Sequence, residues 1–126
     1  MIKTKSIYHD PIEPEDGYRL LVMRYWPRGV RKAQVHGWLK DLGPSSTLLR
    51  EYRQGLVDWQ TFVLRYRNEV MDAELGRALL AKVKQLERSH GTVTLLCQED
   101  LSKLDNHCHR EILKELLDTL APSAPR

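Results

Sequence analysis

The sequence is poor in cysteine and contains no long apolar run. Only Cys97 and Cys108 occur among its 126 residues, so a secreted fold held together by several disulfides is excluded. No apolar stretch approaches the ~18 residues that a transmembrane helix needs. The first residues carry lysines but no apolar core like that of a signal peptide. We therefore expect a cytoplasmic protein with no membrane partner.

The sequence also lacks a large excess of charge of one sign. Its net charge is +3 and its pI is about 8.9, which permits an anionic partner without requiring one. Nucleic-acid-binding proteins usually carry a dense stripe of lysine and arginine, whereas basic and acidic residues are interleaved along most of this chain. Composition therefore leaves nucleic-acid binding open as a function.

Apolar periodicity predicts strands that alternate with helices. The strand-like segments are residues 2–8, 18–24 and 92–97. Helical spacing predicts helices over about 34–42, from Ser45 or Ser46, from Asp58, over 75–90 and over about 106–120. This alternation favours an α/β fold, with a small, mostly parallel sheet flanked by helices in a single compact layered domain.

Two further expectations concern the extent of this domain. We predict one domain over residues 1–120 and a flexible C-terminal tail over 121–126, which contains two prolines. Three strands make a thin sheet, so we expect a fourth strand within a segment assigned to helix or loop.

The strongest functional signal lies where the last strand faces the last helix. Cys97 ends the strand, and residues 107–110 (His-Cys-His-Arg) are predicted to form the first turn of the helix. In open α/β sheets, ligands bind beyond the carboxyl ends of the strands, where loops meet helix N-termini. The candidate site therefore lies between residues 97 and 110.

The charges at this helix start indicate an anion site. A helix N-terminus disfavours nearby cations by ~0.3–1 kcal/mol each, yet His107, His109 and Arg110 are all predicted to lie there. They can hold a phosphate, a carboxylate or the thiolate of Cys108, whose pKa such an environment lowers from about 8.5. We predict Cys108 as a nucleophile or redox thiol, with His107 or His109 as the base. Arg110, Cys97 and Glu99 are candidate binding residues.

Other interpretations of these residues stay open. Arg110 can pair with Glu99 or another nearby acidic residue, and Cys97 can be an ordinary core residue. Cys97 and Cys108 can form a redox disulfide if their Cα atoms lie within ~7 Å.

A metal site is disfavoured by the spacing of its candidate ligands. Residues 107–109 are consecutive and fan around the helix axis, so zinc would need Cys97 and perhaps Glu99 to join one or two of them. We therefore assign no metal ligand, and the sequence identifies no cofactor. A phosphatase-like phosphate loop is excluded, because position 103, six residues after Cys97, is lysine and no glycine lies between them.

A second basic cluster follows the second strand. Arg24 and Arg28 flank Trp26, and they lie at the same sheet edge as Cys97 if the two strands are parallel neighbours. Arg28 and Arg110 can then converge on one anion, with Trp26 as a stacking surface. In the alternative interpretation, Trp26 is a core residue and the arginines form a solvated rim.

The run Asp-Gly-Tyr-Arg-Leu-Leu-Val-Met-Arg-Tyr-Trp-Pro-Arg-Gly-Val at residues 16–30 resembles the opening of the domain-of-unknown-function family 488 (DUF488), in particular its YeaO-like branch. The resemblance continues through residues 38–42 and reaches the strand at 93–96. It implies a compact α/β layered domain and no established reaction. Met23 stands where the YeaO-like pattern usually has aspartate, and the elements at 97–99 and 108–110 look like those of the wider family.

The residues predict an anion-binding, thiol-containing pocket. An enzyme or redox protein that acts on a small anionic ligand is the first hypothesis. The alternative is a nucleotide or nucleic-acid binding module without catalysis, and an interaction domain without chemistry also stays open.

Overall fold

A computed structural model describes residues 1–98 and 107–120. Its strands are β1 (Ile2–Ser6), β2 (Tyr18–Leu21), β3 (Gly37–Trp38) and β4 (Val93–Cys97), and its α-helices are α1 (Ser46–Arg53), α2 (Trp59–Met71), α3 (Glu74–His90) and α4 (His109–Thr119). Three short 3-10 helices lie at Pro14–Asp16, Lys32–Gln34 and Lys40–Leu42. The predicted α/β fold with a parallel sheet is confirmed.

The strands form a four-stranded parallel sheet in the order β1-β4-β2-β3. Residue Val93 of β4 lies between Ile2 of β1 and Tyr18 of β2. Because β2 and β4 are parallel neighbours, as the sequence suggested, their carboxyl ends meet at one edge of the sheet. That edge is where residues 22–28 and residue 98 leave the strands.

The sheet is covered on both faces, and the helices cover one of them. Alternate strand residues such as Leu20, Val93 and Leu95 are buried in the main hydrophobic core, which also contains the buried apolar residues of all four α-helices. On the other face, Leu21 and Leu96 form a smaller cluster that is covered by loop residues between 23 and 35. Near-continuous apolar strands are therefore required at β2 and β4.

The second face also holds a buried ionic cluster. The Asp16 carboxylate, 1% exposed, pairs with Arg19 of β2 and with Lys5 of β1, whose Nζ lies 2.6 Å away. The Thr94 hydroxyl donates to the Asp16 carbonyl oxygen at 2.7 Å. This cluster holds the 7–17 loop against the sheet.

The predicted helix over 34–42 is wrong. Residues 37–38 instead form β3, which pairs with Leu20 and Leu21 of β2, and the amide of Leu39 donates to the Leu21 carbonyl oxygen at 3.0 Å. The fourth strand expected from the thin sheet is therefore present, inside a segment whose apolar spacing predicts a helix. Strand pairing outweighed a helical apolar spacing that is only nine residues long.

The ends of the other elements agree with the sequence within a few residues. Ser45 caps α1 by accepting from the amide of Leu48, and Asp58 caps α2 by accepting from the amide of Thr61. Helix α4 begins at His109, later than the predicted start at about 106, and Cys108 is its N-cap. The tail predicted at 121–126 lies outside the described residues. Within residues 1–98 and 107–120, the helices are too short or too polar to cross a membrane.

Candidate functional site

A cavity of about 370 Å³ lies at the carboxyl edge of the sheet. Its walls come from the segment after β2, from α1 and the start of α2, from the end of β4, and from residues 107–109 at the start of α4. The sheet topology explains why these segments meet, because the loops that follow parallel strands all begin at the same edge of the sheet. This cavity lies at the edge of the sheet where the sequence analysis places the candidate site.

Two thiols and one imidazole meet at the bottom of this cavity. Nδ1 of His109 lies 3.9 Å from Sγ of Cys97 and 3.7 Å from Sγ of Cys108, and the three donor atoms all lie within 4.8 Å of one another. All three residues are buried and all three line the cavity. Cys97 is brought there by the end of β4, and the other two by the start of α4.

The orientation of the His109 ring is fixed by the backbone of β2. Its Nε2 lies 2.6 Å from the carbonyl oxygen of Val22. A carbonyl oxygen can only accept, so Nε2 carries the hydrogen and donates it. In the neutral imidazole, Nδ1 then has the lone pair, and it faces both sulfurs. This tautomer can accept a thiol proton or ligate a cation.

Tyr66 of α2 packs against the imidazole of His109. Its ring meets the His109 ring edge-on, with 5.5 Å between centroids, and its hydroxyl donates to the Leu42 carbonyl oxygen. Burial and, next, the negative charge of the Cys108 and Cys97 thiolates raise the pKa of Tyr66 well above its ordinary value. Tyr66 therefore stays a neutral phenol at physiological pH.

Among the described residues, three arginines line the cavity, and they differ in how they are held. Arg24 is held in the wall: Nε donates to the Pro44 carbonyl oxygen at 3.0 Å, one terminal nitrogen donates to the Gly43 carbonyl oxygen at 2.8 Å, and the other pairs with Asp41. Arg28 and Arg53 are exposed at the surface. A ligand in the cavity can reach these two cations more readily than Arg24.

Aromatic side chains form much of the remaining wall. Trp59, at the first position of α2, stacks on the His107 ring at a centroid distance of 4.4 Å and an interplanar angle of 13°. Trp26 is half-buried, lines the cavity and donates from Nε1 to the Val30 carbonyl oxygen at 2.9 Å. Trp26 also packs against the smaller apolar cluster, as a core residue does.

The other predicted site residues are placed differently. His107 is exposed and stacks on Trp59, while His109 meets the sulfurs. Arg110 is buried, with 2% of its surface exposed, and it is not among the described residues that line the cavity, so it does not join Arg28 there. Glu99 lies outside the described residues.

Sequence reasoning missed the contribution of α1 and α2. Tyr52, Arg53 and Trp59 line the cavity, yet their spacing predicts only an amphipathic helix face. The aromatic contacts of Tyr52 and Trp59 with Phe62 are those of a core. The one sequence signal that could have indicated a cavity wall is the presence of three aromatic residues, Tyr52, Trp59 and Phe62, where one predicted helix is followed by the next.

The fold and the cavity define a class of small parallel α/β domains with a Cys/His cluster at the carboxyl edge of the sheet. The sequence matches the family DUF488-N3a, described as the "Active DUF488-N3 subclade", over residues 2–121, and the chain belongs to this DUF488 family.

Relatives of known name are themselves uncharacterised. The chain is 38% identical to the uncharacterized protein YeaO of Escherichia coli (strain K12) over 84 residues, which cover 65% of this chain and 72% of YeaO. It is 36% identical to the uncharacterized protein Rv3073c of Mycobacterium tuberculosis (strain H37Rv) over 105 residues, which cover 73% of this chain and 88% of Rv3073c. No solved structure matches the chain.

Proposed function

We propose that the protein is a thiol-dependent enzyme that acts on a small anionic substrate bound in the carboxyl-edge cavity. The observation that carries this function is the position of His109 Nδ1, 3.7 Å from the Cys108 sulfur in a cavity that arginines line. A nucleophile beside a base that is itself held by a third group is the arrangement of nucleophilic catalysis. The word "active" in the description of the subclade is compatible with an enzyme.

Cys108 is the better nucleophile of the two cysteines. It is the N-cap of the eleven-residue helix α4, where the helix dipole stabilises negative charge on sulfur. Cys97 instead ends a strand whose five residues are all buried. In the first step, the Cys108 thiol proton passes to His109 Nδ1 and the sulfur bonds to an electrophilic atom of the substrate. The leaving group departs with its electron pair and takes that proton.

Arg28 and Arg53 bind the anionic group of the substrate. Both are exposed at the cavity, and a guanidinium can bind a carboxylate or phosphate through two parallel hydrogen bonds. Arg24 has a positioning role, because its nitrogens already hold the 41–44 segment.

Alkylation with a matched pair of reagents tests this function. Iodoacetamide is neutral and iodoacetate is anionic, but each transfers a carbon to sulfur and releases iodide. We expect both to modify Cys108 at neutral pH, as mapped by mass spectrometry, and we expect Cys108→Ser to abolish this modification. Arg28→Ala should slow iodoacetate by about fivefold, equivalent to ~1 kcal/mol of charge attraction, and leave iodoacetamide unchanged.

Arg88→Ala serves as the control, because Arg88 is exposed on α3 and does not line the cavity. It should leave both rates unchanged. A Cys108 thiol that neither reagent modifies in the folded wild-type protein would contradict the proposed function.

A second candidate function is nucleotide or nucleic-acid binding without catalysis. The aromatic wall favours it, since Trp26 and Trp59 can stack on a base while the arginines contact a phosphate. We expect such binding to weaken steeply as salt concentration rises. If the protein binds neither single-stranded oligonucleotides nor nucleotides at low salt, the thiol-dependent enzyme is the better supported of the two functions.

A further inference from the structure

The Cys97, Cys108 and His109 side chains have the composition and spacing of a metal site. Thiolate and imidazole are ligands that Zn²⁺ prefers. In a tetrahedral zinc complex with Zn–S of about 2.3 Å and Zn–N of about 2.0–2.1 Å, the sulfur-to-nitrogen edges are about 3.6 Å and the sulfur-to-sulfur edge about 3.8 Å. The sulfur-to-nitrogen distances here are 3.7 and 3.9 Å. The third edge is at most 4.8 Å.

The imidazole is already oriented for this role. Nε2 of His109 donates to the Val22 carbonyl oxygen, which leaves the lone pair of Nδ1 facing both sulfurs. Histidine ligands of metals characteristically donate their other ring N–H to a carbonyl or carboxylate, which fixes the tautomer and the ring. The backbone of β2 therefore supplies the support that a metal-binding histidine needs.

Charge and burial also fit a divalent cation. All three residues are buried, and an uncompensated ion is costly in such a place. Two thiolates balance the charge of Zn²⁺, so the complex of Zn²⁺ with Cys97, Cys108 and His109 is neutral. Because all three side chains line the cavity, a fourth ligand could reach an ion held between them from the cavity. Three protein ligands and one open position are the pattern of an exchangeable or catalytic zinc site.

We propose that Cys97, Cys108 and His109 form a three-ligand Zn²⁺ site whose fourth position opens into the cavity. This inference rests on the site used by the proposed function and adds a form of regulation to it. Zinc binding releases the two thiol protons and occupies the Cys108 sulfur, so a zinc-bound molecule cannot use that sulfur as a nucleophile. Removal of zinc restores it.

Cys97 makes a metal site possible although the spacing of residues 107–109 disfavours one. The three consecutive residues at 107–109 cannot share one ion, and the exposed His107 instead stacks on Trp59. Cys97 approaches from a different element, the end of β4, and replaces His107 as the third ligand. His107 is therefore a natural control for the neighbouring ligands.

Metal titration of the reduced, chelator-treated full-length protein tests the inference. We expect one Zn²⁺ per chain, and we expect Co²⁺ in its place to give the absorption of a cobalt–thiolate bond. Cys97→Ser and His109→Gln should each weaken Zn²⁺ binding by about 100-fold or more. His107→Gln should bind Zn²⁺ like the wild type. Circular dichroism of each variant checks that it is folded.

A measurement on the wild type avoids any variant that fails to fold. Bound Zn²⁺ should protect both cysteines from iodoacetamide, and a chelator should restore modification of Cys108. Equal Zn²⁺ affinity in folded wild type and folded Cys97→Ser, or no protection at saturating Zn²⁺, would overturn the metal site.

The two proposals fail differently in these experiments. A Cys108 that is alkylated without metal in a protein that does not bind Zn²⁺ contradicts the metal site alone. A protein that binds Zn²⁺ but whose metal-free Cys108 resists alkylation contradicts the thiol enzyme alone.

Discussion

At the residue scale, one buried ion-pair cluster is made by residues that do not line the cavity. The side chain of Asp16 is 1% exposed. Its carboxylate forms ion pairs with Arg19 and Lys5 and accepts a hydrogen bond from the amide of Glu13. Burial acts to raise the pKa of Asp16, but the hydrogen bonds from Lys5, Glu13 and Arg19 outweigh it and lower the pKa below its ordinary value. The carboxylate is therefore held in its charged form.

We expect Asp16→Asn to lower the free energy of unfolding by about 3 kcal/mol at pH 7, because it leaves Lys5 and Arg19 without their buried anion. A depressed carboxylate pKa contributes stability above the unfolded pKa of about 3.9, and this stability is lost as pH falls through the folded pKa. The urea midpoints of wild type and Asp16→Asn should therefore move closer together over the window from about pH 5 to pH 3, which contains the unfolded pKa of about 3.9. Asp72→Asn, on an exposed helix end, should change little at any pH. Midpoints that stay equally far apart at both ends of the window would contradict this account.

At the scale of elements, the junction of α2 and α3 depends on one glycine. A Cβ atom on Gly76 would lie 2.0 Å from the carbonyl oxygen of Val70, so the two helices approach more closely than any side chain allows. Gly76 lies in the first turn of α3, where alanine would ordinarily favour the helix by about 0.5–1 kcal/mol. Here the close contact reverses that preference.

Gly76→Ala should destabilise the protein by about 2 kcal/mol, in the range of other overpacked sites. Gly55→Ala is the matched control: Gly55 has a φ of +76° but nothing within 4 Å of its added Cβ. It should cost about 1 kcal/mol, from backbone strain alone. Chemical denaturation of both variants gives the comparison. A higher free energy of unfolding for Gly76→Ala than for the wild type would contradict this account, because it would show that α2 and α3 can move apart at little cost.

Local patterns predicted the long elements better than the short ones. The apolar spacing in α2, α3 and α4 and the run in β4 extend over enough residues to define a face, and their caps mark the ends. Strand β3 has only two residues, and its pairing with Leu20 and Leu21 depends on a strand that lies 17 positions earlier in the sequence. No local pattern carries that information, and the apolar spacing of the segment predicts a helix instead.

At the scale of the whole molecule, the cavity joins residues from most of the chain. Its walls include Tyr8, Arg53 and His109, so it exists only in the folded protein. The sequence places Cys97 and residues 107–109 at this edge of the sheet, because the ends of strands and the starts of helices have recognisable patterns. It did not reveal that His109 alone of the two histidines meets the sulfurs, since that depends on how α4 packs against Val22 and Tyr66.

A ligand of this cavity should stabilise the fold, because it binds only the folded state. Inorganic phosphate at 100 times its Kd would add about 2.7 kcal/mol to the free energy of unfolding, or roughly 10 °C in Tm for a domain of this size. We expect this increase in the wild type, a smaller one in Arg28→Ala, and no loss in Arg88→Ala. Equal shifts in the wild type and Arg28→Ala would show that phosphate acts elsewhere.

The sheet order has a consequence for how the chain is made. Strand β1 pairs with β4, and residues 2 and 93 of these strands are 91 positions apart. At ribosomal speeds of about 5–20 residues per second, β4 is synthesised roughly 5–18 s after β1. The first strand thus leaves the ribosome long before its partner exists. A nascent chain that stops before β4 has β1, β2 and β3 but lacks the strand that joins β1 to β2, and it lacks the Cys97 corner of the cavity.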